Sequence, residues 1–497
     1  MAQAKRNVVK ALINKYKNSS VIFKASLWFV FVTVINNGVS VLTQPFINRI
    51  LTVKQVGIFG IYQTWSSIFS VIATLYLSGG VSEVLLTKNK EDSNQIVASL
   101  SVLTILIWGI FFGICLIFIK PISILLRLKP IYLIVLAVTI IGDALIQFWC
   151  VQKRFFYNYK SYSVLMIGLF VIKAVTSILL SYWWRSDRIL GRIIGLCLPA
   201  LLVAVVLFIL MARRLCFKRI TQYWWKAVKF NIPLIPHYLS SILLASSDKI
   251  MIQRFVGETG VGLYTLAYSF SSLSLIVFGA LNNAYTPHSL KLIKDENYTE
   301  LSSTTKPIVL LSVVFSLFLV FLAPEGILIL GGKKYLKTLD IVPILIVGIF
   351  ISSFYFIFSN VEFLYEKTKW IFPITLLGAG LNILLNWLFI PRFGYKVAAY
   401  TTLFSYIAVA ACHYFVSFKI LKRNIYPMKS ICFYVLLLIV GAIGAIFLYK
   451  LQFWIRYAIL LALCAGSVIA TICYLKKKKA TLNRDVSTVE TEGENII

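Results

Sequence analysis

Long apolar runs recur every 30 to 40 residues along the chain, each separated from the next by a short polar stretch. Each run reaches the roughly 20 residues that a helix needs to cross a hydrocarbon core. The pattern predicts about fourteen spanning helices, over residues 26–48, 58–80, 96–119, 130–150, 163–183, 190–211, 229–252, 262–285, 306–324, 338–361, 370–390, 396–417, 429–449 and 453–475. Trp183 and Trp184, Trp224 and Trp225, and Trp454 fall at the run ends, where aromatic rings anchor a helix to the membrane interface. The ten-residue alternation of an outer-membrane barrel is missing, and no connection is long enough for a folded domain outside the bilayer. The fold class is therefore all-α, a polytopic membrane protein.

The chain also repeats itself. Ile47–Phe59 (INRILTVKQVGIF) and Ile252–Tyr264 (IQRFVGETGVGLY) align without a gap at an offset of about 205 residues. Ile47/Ile252, Arg49/Arg254, Val56/Val261 and Gly57/Gly262 are identical pairs. A weaker echo pairs Phe155-Phe156-Tyr157 with Phe363-Leu364-Tyr365. Both copies of the motif follow a helix running the same way, so the expected organisation is two six-helix lobes in parallel topology about an axis along the membrane normal. The N-lobe is expected over 1–212, a basic connector over 213–228, the C-lobe over 229–420, two appended helices over 421–475 and a polar tail over 476–497. In transporters built this way, the substrate path runs between the lobes.

Composition agrees with the hydropathy. Apolar residues make up 59% of the chain and charged ones 13%, against about 25% charged in a soluble protein. The formal net charge of +31 would suit a nucleic-acid partner, but the bias of Lys and Arg toward one side of the membrane explains much of it. With the N-terminus cytoplasmic, that side holds about 31 of the 49 Lys and Arg. Its strongest blocks are Lys5–Lys17, Arg213–Lys229, Lys419–Lys429 and Lys476–Lys479. An even helix count brings the C-terminus back to the same side. The first apolar run leads into Asn48-Arg49 with no small-residue cleavage site, which reads as an uncleaved first helix. The eight cysteines, among them Cys115, Cys150, Cys412 and Cys464, lie mostly in apolar segments without a CxxC pair, so neither a disulfide framework nor a metal site is expected. Gly79-Gly80 and Gly331-Gly332 read as helix ends, since no phosphate-cradling fingerprint follows a strand.

The chain resembles the polysaccharide (O-antigen and capsule) flippases of the multidrug/oligosaccharidyl-lipid/polysaccharide exporter superfamily. The resemblance rests on the Arg49…Gly57 turn, on Asn231–Phe270, on Leu381–Tyr406 with its Asn-rich helix ending in IPRFG, and on fourteen helices with two beyond the repeat. It implies export of an undecaprenyl-diphosphate-linked oligosaccharide across a bacterial inner membrane by alternating access. The implied partners are that lipid-linked substrate, membrane lipid and, as candidates, polysaccharide assembly enzymes. No cofactor, metal or nucleic acid is implied, and no enzymatic activity. Two alternatives stay open. A cation-coupled multidrug exporter of the same superfamily should favour acidic cleft residues, whereas basic side chains outnumber acidic ones here. An integral-membrane polysaccharide polymerase usually carries a sizeable outer loop, and no loop here exceeds roughly 20 residues.

Ionisable residues inside spanning segments are the candidates for chemistry, because intramembrane charge is expensive to keep. Lys173 lies near the middle of the fifth helix and Asp143 in the inner half of the fourth, at depths that would let them pair; the pair reads equally as a structural bridge or as cleft lining. Arg49 and Arg254 occupy equivalent outer positions, where each could cap its helix or form a cationic mouth. Asp248-Lys249 sits just inside Arg254. The resemblance gives Asp248 an acidic position typical of the second lobe, and a local bond to Arg254 is expected of it ahead of proton carriage. Arg154 and Glu362 are equivalent and opposite in charge at the inner ends of the fourth and tenth helices. They read as interface charges or as a cytoplasmic latch between the lobes. His237, His288 and His413 are isolated and read as packing or hydrogen-bonding groups, with proton coupling the sharper alternative. Asn36-Asn37, Asn282-Asn283, Asn382 and Asn386 put amides in apolar helices, for interhelical bonding or for sugar recognition.

The charge bias makes a direct prediction: residues 220 and 490 both face the cytoplasm. Cysteines placed there should stay unlabelled when intact cells meet an impermeant thiol reagent. Labelling of either from outside would remove the fourteen-helix topology.

Overall fold

A computed structural model describes residues 19–213, 215–449 and 453–462, together with Gly466. The described residues form helices and connecting turns with no strand. Among the described residues, twelve helical stretches are long and apolar enough to cross a membrane. The first half of the chain comprises α1 (Val21–Ile50), α2 (Val53–Thr74), α3 (Gly80–Lys88), α4 (Ser93–Ile117), α5 (Ile119–Leu126), α6 (Pro130–Phe155), α7 (Tyr159–Trp183) and α8 (Arg188–Ala212). After the connector, with its short helix α9 (Trp224–Asn231), come α10 (Ile235–Phe255), α11 (Glu258–Ser271), α12 (Leu273–Lys294) and α13 (Tyr298–Phe321). They are followed by α14 (Ala323–Gly331), α15 (Val342–Ser352), α16 (Phe354–Leu364), α17 (Ile371–Phe393), α18 (Val397–Leu421) and α19 (Met428–Leu448). The last described helix, α20 (Phe453–Ala462), is the start of the expected fourteenth span, whose remainder, Gly466 apart, lies outside the described residues. The N-terminal basic block and the polar tail lie outside them too.

The two lobes match element for element. The α2–α3 pair covers 53–88 and the α11–α12 pair 258–294; α4 begins at Ser93 and α13 at Tyr298. The short α5 has its counterpart in α14. The chain thus repeats in its interruptions as well as its spans. Apolar burial separates the roles of the helices. The Val342–Leu364 span (α15–α16) is enclosed by other helices, while α1 keeps most of its apolar surface on the outside, where lipid would cover it.

The repeated motif lies where the lobes touch. It is expected on a turn, yet Val56, Gly57, Val261 and Gly262 sit inside helices, because both helices start earlier than hydropathy indicates. Thr52 begins α2 through a capping box: its side chain accepts from the Gln55 N–H at 3.2 Å, and the Gln55 side chain accepts from the Thr52 N–H at 2.9 Å. The second copy makes its turn at Gly257 instead, whose φ of +102° an L side chain rarely adopts. The early starts let α2 and α11 cross at their first turns. A Cβ on Gly57 would stand 1.8 Å from the Glu258 carbonyl oxygen, and one on Gly262 would stand 2.0 Å from that of Val53. Val53 and Glu258 are themselves equivalent in the repeat, so this contact obeys the two-fold relation between lobes. Around it, Asn48 donates to the Leu330 carbonyl at 2.9 Å, Lys334 to that of Leu51 at 2.7 Å and Arg127 to that of Gln253 at 3.0 Å.

At the other end of α2 the helix breaks. Leu75 and Tyr76 take φ of 47° and 50°, and the Asn231 amide donates to both of their carbonyls at 2.8 and 3.0 Å. Tyr76 packs against Tyr238 of α10 with ring centroids 4.7 Å apart. The connector is fastened to the N-lobe. Gln95 exchanges two hydrogen bonds with the Cys216 backbone, Trp224 donates to the Ser99 carbonyl at 3.1 Å, and Asp92 accepts from Tyr223 at 2.6 Å and pairs with Arg219. The Tyr223 and Arg219 hydrogen bonds hold the Asp92 carboxyl below its ordinary range.

The first spanning helix of the C-lobe is expected from residue 229 but begins at Ile235. Residues 229–231 belong to α9, and Pro233 and Pro236 interrupt the hydrogen-bond ladder there. At 21 residues α10 is long enough to span but too polar to stand among the twelve; it carries Asp248, Lys249 and Arg254.

Placing a methyl group in the crossing should open it. Gly57→Ala or Gly262→Ala is expected to disfavour this conformation by about 1–3 kcal/mol, the usual effect of overpacking. A single cysteine at Gln63 should then react faster with an impermeant thiol reagent added from the crossing side. Unchanged reactivity in folded variants would mean that some other contact closes that end.

Candidate functional site

Directly under the crossing lies a cavity of about 460 Å³. Its walls come from α1, α2, α6, α7 and α8 of the N-lobe, with Thr265, Leu266 and Ser269 of α11 facing them. Asp143, Lys173 and Arg192 are its charged lining residues, so two cations face one carboxylate. Lys173 stands ten residues from the end of α7, about 15 Å along a helix. Its Nζ lies 2.9 Å from Asp143 Oδ1, so the pair proposed from helical depth is formed. The ion pair keeps the ammonium compensated at mid-membrane depth. Side-chain exposure is 17% for Lys173 and 51% for Asp143, which makes the carboxylate the more open member.

Arg192 escaped the sequence reading because it sits near the end of an apolar run, where a cation looks like an ordinary interface charge. Tertiary packing turns it inward. Gly191 and Gly195 bring α8 against the backbone of α7: a Cβ on either would fall within 2.4–2.5 Å of Leu180 or Ser177. The Gly195 carbonyl accepts the Thr176 hydroxyl at 2.5 Å. Arg192 projects from this tight seam, and its guanidinium lies 3.5 Å from the Phe59 ring centroid. The small-xxx-small spacing of Gly191 and Gly195 is the signal that could have found it.

The cavity does not end at the lobe boundary. A second space of about 350 Å³ shares Ser40, Gln44 and Ser269 with it and runs between α1 and the α11–α12 junction, with Asn37 and Leu273 on its walls. The lobes are thus held together along α2, while the equivalent seam beside α1 is loose and half polar. Gln44 Oε1 and Thr265 Oγ1 line the main cavity without a hydrogen-bond partner.

Other candidates lie elsewhere. Asp248 is buried inside the C-lobe and accepts from Tyr264 at 2.5 Å, Thr402 at 2.7 Å and Asn386 at 2.7 Å. The expected bond to Arg254 is not formed, because these three donors occupy the carboxylate and Arg254 points outward from the last turn of α10. Asn386 also donates to Asn382, Thr401 donates to Asn386, and Ser247 donates to Asn382 at 2.6 Å, so these amides bond helices α10, α17 and α18 together. Lys249 lies 5.6 Å from the Tyr268 ring centroid and does not line the cavity. Arg49, like Arg254, is exposed in the last turn of its helix, where the helix dipole favours a cation.

The latch between Arg154 and Glu362 is not present in this conformation. Arg154 approaches Glu83 at 3.8 Å within its own lobe. Glu362 is fully enclosed in the C-lobe and bonded to His413, so it faces α18 and not the opposite lobe. His237 pairs with Thr375 at 3.2 Å, and His288 lies 3.8 Å from Glu300. Asn36 and Asn282 each keep a buried carbonyl oxygen without a partner. Among the described residues, no group of three or more His, Cys, Asp or Glu comes together as a metal site.

Residues 22–293 match the family of polysaccharide biosynthesis proteins, and residues 233–388 also match the MatE family. The first match covers more than half of the chain. The chain belongs to the polysaccharide biosynthesis protein family. A protein of the Lsg locus of Haemophilus influenzae is 25% identical over 365 residues, covering 72% of this chain and 88% of its own. A second membrane protein of that organism is 21% identical, over 65% of this chain and 80% of its own. Among solved structures, the lipid II flippase MurJ in an inward closed conformation aligns with a TM-score of 0.64 at 16% identity, over 91% of this chain and 99% of its own. An inward-facing multidrug resistance MATE transporter of the MOP superfamily aligns at 0.56 and 14%, over 79% and 95%. The fold of these solved structures is therefore present over nearly the whole chain, with the charged cavity lined mainly by its first lobe.

The amide network gives a stability prediction. Asp248→Ala leaves the Tyr264, Thr402 and Asn386 donors without their acceptor, and each unpaired buried group costs about 1–3 kcal/mol. Thermal unfolding in detergent should shift down strongly for Asp248→Ala and less for Asp248→Asn. Equal stability of Asp248→Ala and the unaltered chain would show that the network does not hold these helices together.

Proposed function

We propose that the chain carries a lipid-linked oligosaccharide with an anionic head from one leaflet of a bacterial cytoplasmic membrane to the other, by alternating access between its lobes. One observation carries this reading: a cavity at membrane depth in which Lys173 and Arg192 outnumber Asp143. Sugar hydroxyls and a diphosphate lose their water in hydrocarbon at several kcal/mol per group, so a polar enclosure must replace it. Ser, Thr, Gln and Asn side chains on the cavity wall suit hydroxyls, and the two cations suit a diphosphate. The loose seam between α1 and α11–α12 suits a substrate whose head enters while its hydrocarbon tail stays in lipid. Membership of the family supports a role in surface polysaccharide assembly. A multidrug exporter for organic cations is the weaker reading, because a net cationic cavity repels that cargo.

The test replaces each cation in a strain lacking the native gene and reads surface glycan. A charge-assisted hydrogen bond contributes about 1.5–3 kcal/mol, so Lys173→Ala and Arg192→Ala should each cut export roughly tenfold or more at limiting substrate. Arg192→Lys should retain part of it. Full export by both alanine variants at normal abundance would take the cavity out of the path. A gain of resistance to cationic dyes, with surface glycan unaffected by loss of the gene, would favour the multidrug reading. Collapse of Lys173→Ala abundance, rescued by Lys173→Ala with Asp143→Asn, would make that ion pair structural.

A further inference from the structure

Glu362 on α16 and His413 on α18 form an acid–base pair sealed inside the C-lobe, remote from the charged cavity of the N-lobe. Both side chains are 0% exposed, and His413 Nδ1 lies 2.6 Å from Glu362 Oε1. Their remaining polar atoms, Glu362 Oε2 and His413 Nε2, have no hydrogen-bond partner. This sets the pair apart from Asp248, whose carboxylate takes three donors from three helices. Buried polar atoms are as a rule hydrogen-bonded, so two unpartnered atoms on one acid–base pair point to a role beyond tying helices together.

The titratable groups beside the pair are tyrosines and one further histidine. From α16, the Tyr355 ring packs edge-on to His413 at 4.9 Å. From the link before α19, Tyr426 lies within electrostatic reach of Glu362 and donates its hydroxyl to the Ile357 carbonyl. From α10, His237 lies within electrostatic reach of His413. The titratable side chains of α12 are Tyr285, His288, Lys291 and Lys294; Tyr285 bonds Thr305 and His288 faces Glu300. α15 has no titratable residue, and that of α17 is Arg392 in its last turn. Among the described residues, neither member of the pair forms an ion pair with Lys, Arg or Asp.

The proton count follows from burial. One proton shared between Glu362 and His413 leaves the pair net neutral. With none, a carboxylate is buried uncompensated; with two, an imidazolium is. Either is costly by several kcal/mol in a sealed apolar site. The pair therefore keeps one proton for as long as it is sealed, and changes its load only when water reaches it. The neighbouring His237 is half-buried on α10, next to Tyr238, which packs on Tyr76 of the N-lobe. Movement between the lobes thus acts on the helix that carries His237.

We propose that Glu362 and His413 are a proton-binding site of the C-lobe, loaded with one proton in this conformation and opened to water by movement of the lobes. Discharge passes one H⁺ from the pair to water and leaves the Glu362 carboxylate beside a neutral imidazole; no other bond changes. The site does not depend on what the N-lobe cavity carries, so either reading can fail without the other.

The chain has three histidines, which makes a direct test practical. The full-length protein with isotope-labelled histidine, in lipid nanodiscs, should give three imidazole signals by NMR. His237→Asn and His288→Asn identify the His413 signal by elimination and leave the pair intact. Scanned from about pH 5 to pH 9 in nanodiscs, where movement of the lobes lets water reach the pair, the His413 signal should follow a one-proton dependence. Glu362→Gln should displace its midpoint by at least about tenfold in proton concentration, because the coupled carboxylate is gone. A His413 signal constant over that range in the unaltered chain would overturn the proposal, and that result needs no variant of the pair. An unchanged midpoint in folded Glu362→Gln would overturn it as well.

Discussion

Everything in this architecture depends on two backbones being able to touch. Where α2 crosses α11, Gly57 and Gly262 leave no room for even a methyl group, and each lies against a carbonyl of the other helix. Within a membrane, helices gain little from hiding apolar surface, so close van der Waals approach and carbonyl contacts supply the attraction. The crossing brings the lobes together at one end and leaves a space beneath it. A side chain at either glycine would separate the lobes and remove the roof of that space.

The two lobes handle buried charge in different ways. In the N-lobe, Lys173 and Asp143 neutralise each other at the wall of an open cavity, and Arg192 leans on the Phe59 ring. In the C-lobe, Asp248 is enclosed and held by hydroxyl and amide donors, while Glu362 is enclosed with a single histidine. The same cost of charge in a low-dielectric medium is met by counter-charge, by hydrogen bonds, or by a shared proton. Internal duplication supplied equivalent helices; divergence of their side chains left one lobe to line a polar cavity and the other to carry a sealed polar core. Equivalent positions therefore predict backbone placement far better than chemistry. Arg154 and Glu362 illustrate the point, since each found its partner within its own lobe.

The lobes are also joined asymmetrically. Along α2, the N-lobe is fastened to α10 and α11 by the crossing and by Tyr76 against Tyr238. On the related side, α1 stands off the α11–α12 junction and a half-polar space lies between. The connector adds to this asymmetry, because Gln95, Asp92, Ser99 and Asn231 bind it to the N-lobe. A rocking motion between rigid lobes would then open the α1 seam first, where a half-polar space already separates them.

The sequence by itself determined the class of this protein. The spans, the repeat and the shared register of Gly57 with Gly262 follow from local rules: hydrocarbon thickness sets the length of apolar runs, and duplicated residues keep their places. It also paired Lys173 with Asp143, since depth along two neighbouring helices is simple arithmetic. Helix starts were misjudged where caps overrode hydropathy, at Thr52 and Gly257, and at Ile235 where prolines delayed the helix. Only the tertiary structure decided which charges face the cavity. Arg192 joined it and Asp248 left it because the direction of a side chain around a helix depends on which neighbours pack against that helix, and for Arg192 that was settled by the backbone contact at Gly191 and Gly195. Such contacts join residues from different spans. Their geometry exists only once the helices have assembled.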